Sequence, residues 1–341
     1  MKKNHIKNRK ILILGGAGFI GHNLALKLKQ LGANVSIIDS LKVNNLKTLN
    51  KNINNLSFPQ LAKKIIKQRL SLLKKNRIPL KILDARNYHA LSSEFNRIRP
   101  QVVIHLAAVS HADRSNKDPH STFDHSLRTL ENSLDNSKNN IEHFIFLSSS
   151  MVYGNFKKSK VDENEICEPI GIYGALKYSA EKIIKAYNQT FNLPYTILRP
   201  SALYGERCIS RRVGQIFIEN ALNNKKITIQ GDGEEKLDFT YIQDLVKGIV
   251  CVLKSKKSIN QTFNITYGKS QTINKLFYNL KKEFPNIKVS YKKRDKLTPF
   301  RGTLSTIKAK KLINYKSDWP LDIGYSKYIK WYKNIYYKKQ F

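Results

Sequence analysis

The chain has 341 residues, enough for one large domain or two smaller ones, with ordinary apolar (41%) and aromatic (10%) content. Its 61 Lys and Arg against 25 Asp and Glu give a formal net charge of +36. The lysines are spread along the whole sequence among many asparagines, without C2H2 spacing, an RRM signature or aromatics interleaved for base stacking, so the common nucleic-acid modules are excluded and solvated Lys/Asn-rich faces remain.

The opening MKKNHIKNRKILILGGAGFI has the basic start and apolar stretch of a signal peptide, but Gly15, Gly16 and Gly18 interrupt it and no small-residue cleavage site follows. A buried strand entering a glycine turn accounts for it better. No apolar run reaches the length of a membrane span. Cys167, Cys208 and Cys251 have neither metal-ligand nor disulfide spacing, so no metal is expected and a reducing, cytoplasmic setting is.

In chain order, KILILGG (10–16), NVSIIDS (34–40), PLKILDA (79–85), PQVVIHLAA (100–108) and HFIFLSSS (143–150) are short, apolar and rich in Ile and Val. Helix-period stretches such as GHNLALKLKQLG (21–32) separate most of them. This alternation predicts an α/β fold with a doubly wound parallel sheet of Rossmann type. PYTILRPSALYG (194–205) reads as a sixth strand and QTFNITYG (261–268) as a seventh. Between the second and third strands, PQLAKKIIKQRLSLLKKNR (59–77) carries apolar residues at helical spacing and a basic opposite face. It reads as a membrane or partner helix, or as an inserted helix packed at the sheet edge. Beyond residue 206 the alternation is lost, which predicts a smaller mixed α/β substrate-binding lobe (206–341) after a cofactor domain (1–205), with the strand near 261–268 returning to that domain.

Gly15, Gly18 and Gly21 follow a G-x-x-G-x-x-G spacing between a strand and a helix. Missing side chains there allow a tight turn and let a dinucleotide pyrophosphate approach the amides at the helix N-terminus. Asp39 ends the next strand, where a carboxylate accepts the adenosine ribose hydroxyls and repels a 2′-phosphate; NAD is expected rather than NADP. Tyr173 and Lys177 lie four apart at the start of a strong helical pattern, on one face. An ammonium beside a phenol favours the phenolate. Ser148, Ser149 and Ser150 stop an apolar strand, either as backbone caps or at a ligand-binding sheet rim.

With GGAGFIG (15–21), HLAA (105–108), SSSMVYG (148–154), YGALK (173–177), LRPSALYG (198–205) and DFTYIQDLV (238–246), nearly the whole chain resembles the extended short-chain dehydrogenase/reductase family of NAD-dependent nucleotide-sugar epimerases and dehydratases. The resemblance implies that Ser149, three positions before Val152, orients the sugar hydroxyl beside Tyr173, the base, while Lys177 lowers the tyrosine pKa and holds the nicotinamide ribose. It also implies a cofactor site of Gly15, Gly18, Phe19, Ile20, Gly21, Asp39, Ala107 and Lys177, with Asp84 at the adenine; Asp84 also reads as a post-strand turn residue. Ser150 would line the sugar pocket, and Ser148 would be structural. Arg211, Arg212 and Arg301 are candidate diphosphate partners or, equally, surface arginines.

Several positions depart from the family pattern: Ser126 for Asn, Thr129-Leu130 for Gly-Thr, Ala202 for the Asn of R-P-x-N, and Leu237, beside Lys236, for the Arg before D-F. They bear on the substrate, not on the cofactor. A homodimer is implied, through helices at roughly 119–137 and 174–191 with Ile183, Ile184 and Tyr187 as contacts. Two motifs pull apart over the reaction. SHADRS (110–115) resembles the 4,6-dehydratases, with His111 or Asp113 as a substitute acid, but Ser150 and Met151 stand where dehydratases carry an Asp-Glu pair. A C4 epimerase is therefore expected, with a 4,6-dehydratase and a non-catalytic NAD-binding regulator as alternatives.

Overall fold

The computed structural model describes residues 6–42, 46, 59–108, 112–295 and 298–337. Seven strands form the central sheet: β1 (Lys10–Leu14), β2 (Asn34–Asp39), β3 (Leu80–Ile82), β4 (Val102–His105), β5 (His143–Leu147), β6 (Tyr195–Arg199) and β7 (Gln261–Asn264). Their order is β7-β6-β5-β4-β1-β2-β3, and every pairing is parallel. This is the expected doubly wound α/β sheet. The strand order reverses between β1 and β4, where open α/β sheets bind ligands at the carboxyl ends of their strands.

A parallel sheet is covered on both faces, so its inner strands read as continuous apolar runs rather than alternating ones. β4, β5 and β6 are accordingly buried at every position, while β3 at the edge is mostly exposed. Side chains still alternate between faces along each strand. Ile11 and Ile13 enter one core with Leu24 and Leu28 of helix α1 (Phe19–Gln30); Leu12 and Leu14 enter the other with Leu91 and Phe95 of helix α3 (Tyr88–Ile98).

Helix α2 (Pro59–Lys75) supplies Leu61, Ile65 and Leu73 to the first core beside α1, so the amphipathic stretch is an inserted, packed helix. Its Arg69 is 1% exposed and donates to the Arg207 carbonyl oxygen, tying the insertion to the loop that leads into the second lobe.

Some expected elements are shorter or broken. The sixth strand stops at Arg199, because Pro200 offers no amide N–H and Ala202 turns to φ 36°; residues 203–204 instead pair with 240–241 outside the central sheet. The seventh spans Gln261–Asn264 alone, and the third only Leu80–Ile82. The helix expected over 119–137 is a helical turn (Pro119–Phe123), a π-helical segment (Asp124–Arg128) and a second turn (Thr129–Asp135). Helix α4 (Gly171–Phe191) buries Ile184 completely against Ala180, Leu193 and Ile197, so that residue belongs to the core and not to a surface contact.

Beyond β6, helices α5 (Val213–Leu222), α6 (Ile242–Lys254), α7 (Ile273–Glu283) and α8 (Leu321–Tyr337) pack with two-stranded ladders such as 227–230 with 289–292. Among the described residues, no helix is long and apolar enough to cross a membrane.

Candidate active site

β5 delivers the three serines. The strand ends at Leu147; the Ser148 amide donates to the Leu198 carbonyl at 2.8 Å and the Ser150 amide to that of Pro200 at 2.9 Å. Between them Ser149 caps a short 3-10 turn (Ser150–Tyr153), its Oγ accepting from the Met151 amide at 3.2 Å. Capping and exposure of the hydroxyl to the cleft coexist in this one residue.

α4 reaches this turn because Gly174 has no side chain: a Cβ there would sit 2.8 Å from the Met151 carbonyl oxygen. Tyr173 and Lys177 then face the serines, and Ser149, Ser150, Tyr173 and Lys177 line one cavity of 480 Å³. Burial raises the Tyr173 pKa, while the charge of Arg212 and a hydrogen bond with Ser149 pull it back. Lys177 donates from Nζ to the Leu147 carbonyl at 2.7 Å and lies 4.7 Å from the centre of the Phe146 ring. Burial lowers its pKa to about 8, against the opposing charge of Glu181. The cation whose charge offsets the burial of this phenol is Arg212.

The glycine turn lies beyond the cavity. Gly15, at φ 79°, is pressed against β4's continuation, where a Cβ would meet the Ala107 amide nitrogen at 2.8 Å. A Cβ on Gly21 would meet Gly16 Cα at 2.4 Å, whereas one on Gly18 would meet only the Gly15 carbonyl oxygen, at 3.3 Å. Gly15 and Gly21 therefore close the turn, and Gly18 leaves its face open. α1 starts at Gly18 with no side-chain cap and no acidic residue in its first turn. Phe19 and Ile20 form that turn, and Ile20 lines the cavity. An uncapped N-terminus beside an open glycine suits a dinucleotide pyrophosphate.

Asp39 accepts from the Ala17 amide (2.9 Å) and the Leu41 amide (2.8 Å), fixing the turn to the end of β2. Burial raises its pKa, against those two hydrogen bonds. Asp84 is held by Arg86 and Lys42, each at 2.7 Å; these bonds, that of Arg86 foremost, keep its carboxyl well below the usual range.

The three arginines differ. Arg211 lies 3.8 Å from Glu219 and donates its amide to Gln215. Arg212 precedes α5, and Arg301 follows Pro299 in the cavity wall; the Nε of each is buried without a hydrogen bond among the described residues. Burial lowers Arg301 to about 10, with Glu235 opposing. Sequence reasoning missed Asn116, Gln230, Glu235 and Tyr325, which also line the cavity. Asn116 lies just beyond SHADRS and its Oδ1 accepts from the Ile172 amide, a contact between segments 56 residues apart that no local pattern announces. His111 and the side chain of Asp113 lie outside the described residues.

Residues 11–266 match the model of the NAD dependent epimerase/dehydratase family. A UDP-glucose epimerase named as uncharacterized, from Bacillus subtilis (strain 168), is 32% identical over 340 residues, 96% of this chain and 99% of that one. A dTDP-D-glucose 4,6-dehydratase of Dictyostelium discoideum is 32% identical over 77% of this chain and 59% of its own length. Among solved structures, the UDP-glucuronic acid 4-epimerase of Bacillus cereus, in complex with UDP-glucuronic acid and NAD, superposes with a TM-score of 0.85 at 28% identity, covering 96% of this chain and 99% of that one.

Proposed function

Because this chain belongs to the NAD-dependent epimerase/dehydratase family, we propose that it is a nucleotide-sugar epimerase acting at C4 through a keto-sugar. Residues 1–205 with β7 carry the cofactor in this reading, and 206–341 mainly the nucleotide sugar. Tyr173 takes the proton of the C4 hydroxyl, and Ser149, bonded to the same phenol, orients that hydroxyl. Bound NAD supplies the acceptor for the C4 hydride and afterwards its donor. The planar C4 carbonyl turns its other face before reduction, and Tyr173 returns the proton to its oxygen. Lys177, anchored on the Leu147 carbonyl, favours the phenolate and holds the nicotinamide ribose. Gly15, Gly18, Phe19, Ile20, Gly21 and Ala107 hold the rest of the cofactor, with Asp39 on the adenosine ribose and Asp84 at the adenine. Ser150 faces the sugar; Arg212 and Arg301 meet the diphosphate, with Arg211 as their neighbour.

The observation that carries the choice of epimerisation is the pair Ser150 and Met151 directly after Ser149, both at the serine turn and both lining the cavity. Neither has the carboxylic acid needed to protonate a departing hydroxyl. Incubation with a panel of nucleotide sugars is expected to give a product of unchanged mass and new stereochemistry by NMR. Loss of one water at turnover rates would establish the second reading, a 4,6-dehydratase, which SHADRS and the dehydratase relative favour.

A cytoplasmic homodimer completes the proposal. With Ile184 in the core, Ile183 and Tyr187 are the half-buried residues that α4 offers to a second copy. Light scattering at micromolar concentration should give twice the chain mass; a monomer refutes the dimer.

A further inference from the structure

The buried contacts behind the serine turn assign a positioning role to a residue outside the proposed catalytic set. Glu181 follows Lys177 by one helical turn on α4, so the two side chains share a face. Its carboxylate is bound from two strand ends. Ser148 at the end of β5 donates to Oε1 at 2.5 Å; Arg199 at the end of β6 donates from Nε to Oε1 (3.0 Å) and from Nη2 to Oε2 (2.6 Å). The side chains of Arg199 and Glu181 are 4% and 1% exposed. Arg199 also stacks over the Tyr153 ring at 4.8 Å, and the Tyr153 hydroxyl donates to Asn264 on β7 at 2.9 Å.

Lys177 is an ammonium in the same interior. Among the described residues it has no carboxylate within salt-bridge distance; its hydrogen bond goes to the Leu147 carbonyl, one residue before Ser148. An unpaired ammonium in such a place tends to lose its proton. Among the described residues, the titratable groups around it are Tyr173 in the shared cavity, Glu181 on α4 and His105 on β4, and Arg199 on β6 reaches it through Glu181. His105 is neutral, its pKa lowered to about 3 by burial and by Lys177 itself. Glu181 is the one negative charge in the set, and Arg199 and Ser148 hold it in place.

We propose that Glu181, clamped by Ser148 and Arg199, is a positioning residue that keeps the Lys177 side chain charged and aimed at the cleft. With Arg199 and Lys177 cationic and Glu181 anionic, the cluster carries one net positive charge, which the Tyr173 phenolate balances when it forms. The clamp also involves the structural serine of the triplet, because Ser148 acts on the chemistry through Glu181 and Lys177. This inference rests on the epimerase reading for its rate measurements but not for its second measurement.

The test compares wild type with Glu181→Gln and Glu181→Asp, each loaded with NAD. The alkaline limb of the kcat–pH profile should move down by about one unit in Glu181→Gln, a loss of about fivefold at pH 8, with KM nearly unchanged. Glu181→Asp, which keeps the charge, should restore most of the limb. If Glu181→Gln fails to fold because Arg199 is left without its counter-charge, the double variant Glu181→Gln/Arg199→Gln removes both charges, and the limb should again lie below that of wild type. In parallel, the pH midpoint for acetylation of Lys177 by acetic anhydride, read by peptide mass mapping, should fall by the same amount in the Gln variants. That measurement needs no substrate, so an error in the assigned reaction would leave it standing. An unchanged labelling midpoint in the Gln variants overturns the proposal, as does a fall in melting temperature alone with the limb in place.

Discussion

Tyr173→Phe is expected to lower kcat by about 10³-fold while the protein stays folded and keeps its NAD. The substitution removes one oxygen and leaves the ring packed as before, so the effect isolates proton transfer. Burial makes the phenol a weak acid, and Arg212 and Ser149 offset this through the oxygen that the substitution removes. The remaining hydroxyl in the pair, on Ser149, already accepts from the Met151 amide, and a serine hydroxyl is a far poorer proton acceptor than a phenolate. Activity within tenfold of wild type would mean that the proton moves through another group. Cofactor released on denaturation and the melting temperature serve as controls. Absence of any turnover in the wild type itself would instead leave the protein as a binder of NAD rather than a catalyst.

Gly21→Ala and Gly18→Ala should fail in different ways. A methyl at Gly21 lies 2.4 Å from Gly16 Cα and 2.6 Å from its carbonyl oxygen, both backbone atoms that side-chain rotation cannot clear. The turn must open, at a cost of about 1–3 kcal/mol typical of overpacking, so the apo protein should melt earlier and NAD affinity should fall more than tenfold. At Gly18 the methyl meets one atom at 3.3 Å, so the apo protein should melt close to wild type. The added group instead occupies the open face at the start of α1, and stabilisation by added NAD should be lost. Thermal melts with and without NAD distinguish the two. Equal behaviour of both variants would contradict the division of labour assigned to these glycines.

The parts of this molecule that could be read from the sequence are those whose physical requirement is local. Continuous apolar runs such as HFIFL mark strands buried on both faces, and the glycine spacing marks a turn that must close on itself. Tyr173 and Lys177 are four apart because a helix brings them together, a relation periodicity expresses directly. What escaped depends on segments far apart in the chain. Arg199 looks like the end of an apolar strand, and its bond to Glu181 joins residues 18 apart through a sheet-to-helix crossing. Ile184 and Ile183 are neighbours in sequence and equal in hydrophobicity; only the angle of α4 over the sheet sends one fully into the core. Pro200 signals the break after Arg199, but the apolar residues beyond it mask that signal in the sequence.

β7 enters the sheet late. The chain leaves β6 at Arg199, builds much of the second lobe, and comes back to lay Gln261–Asn264 beside Thr196–Arg199. On a ribosome, β6 is therefore made well before its outer neighbour exists. At typical elongation rates the 65 residues between the two strand ends take roughly 3 to 13 s to add. Throughout that interval a five-residue strand that is buried at every position in the finished protein is the unpaired border of a growing sheet. The nascent chain is most open to mispairing with a sister chain in that window, and chaperone demand should be greatest there.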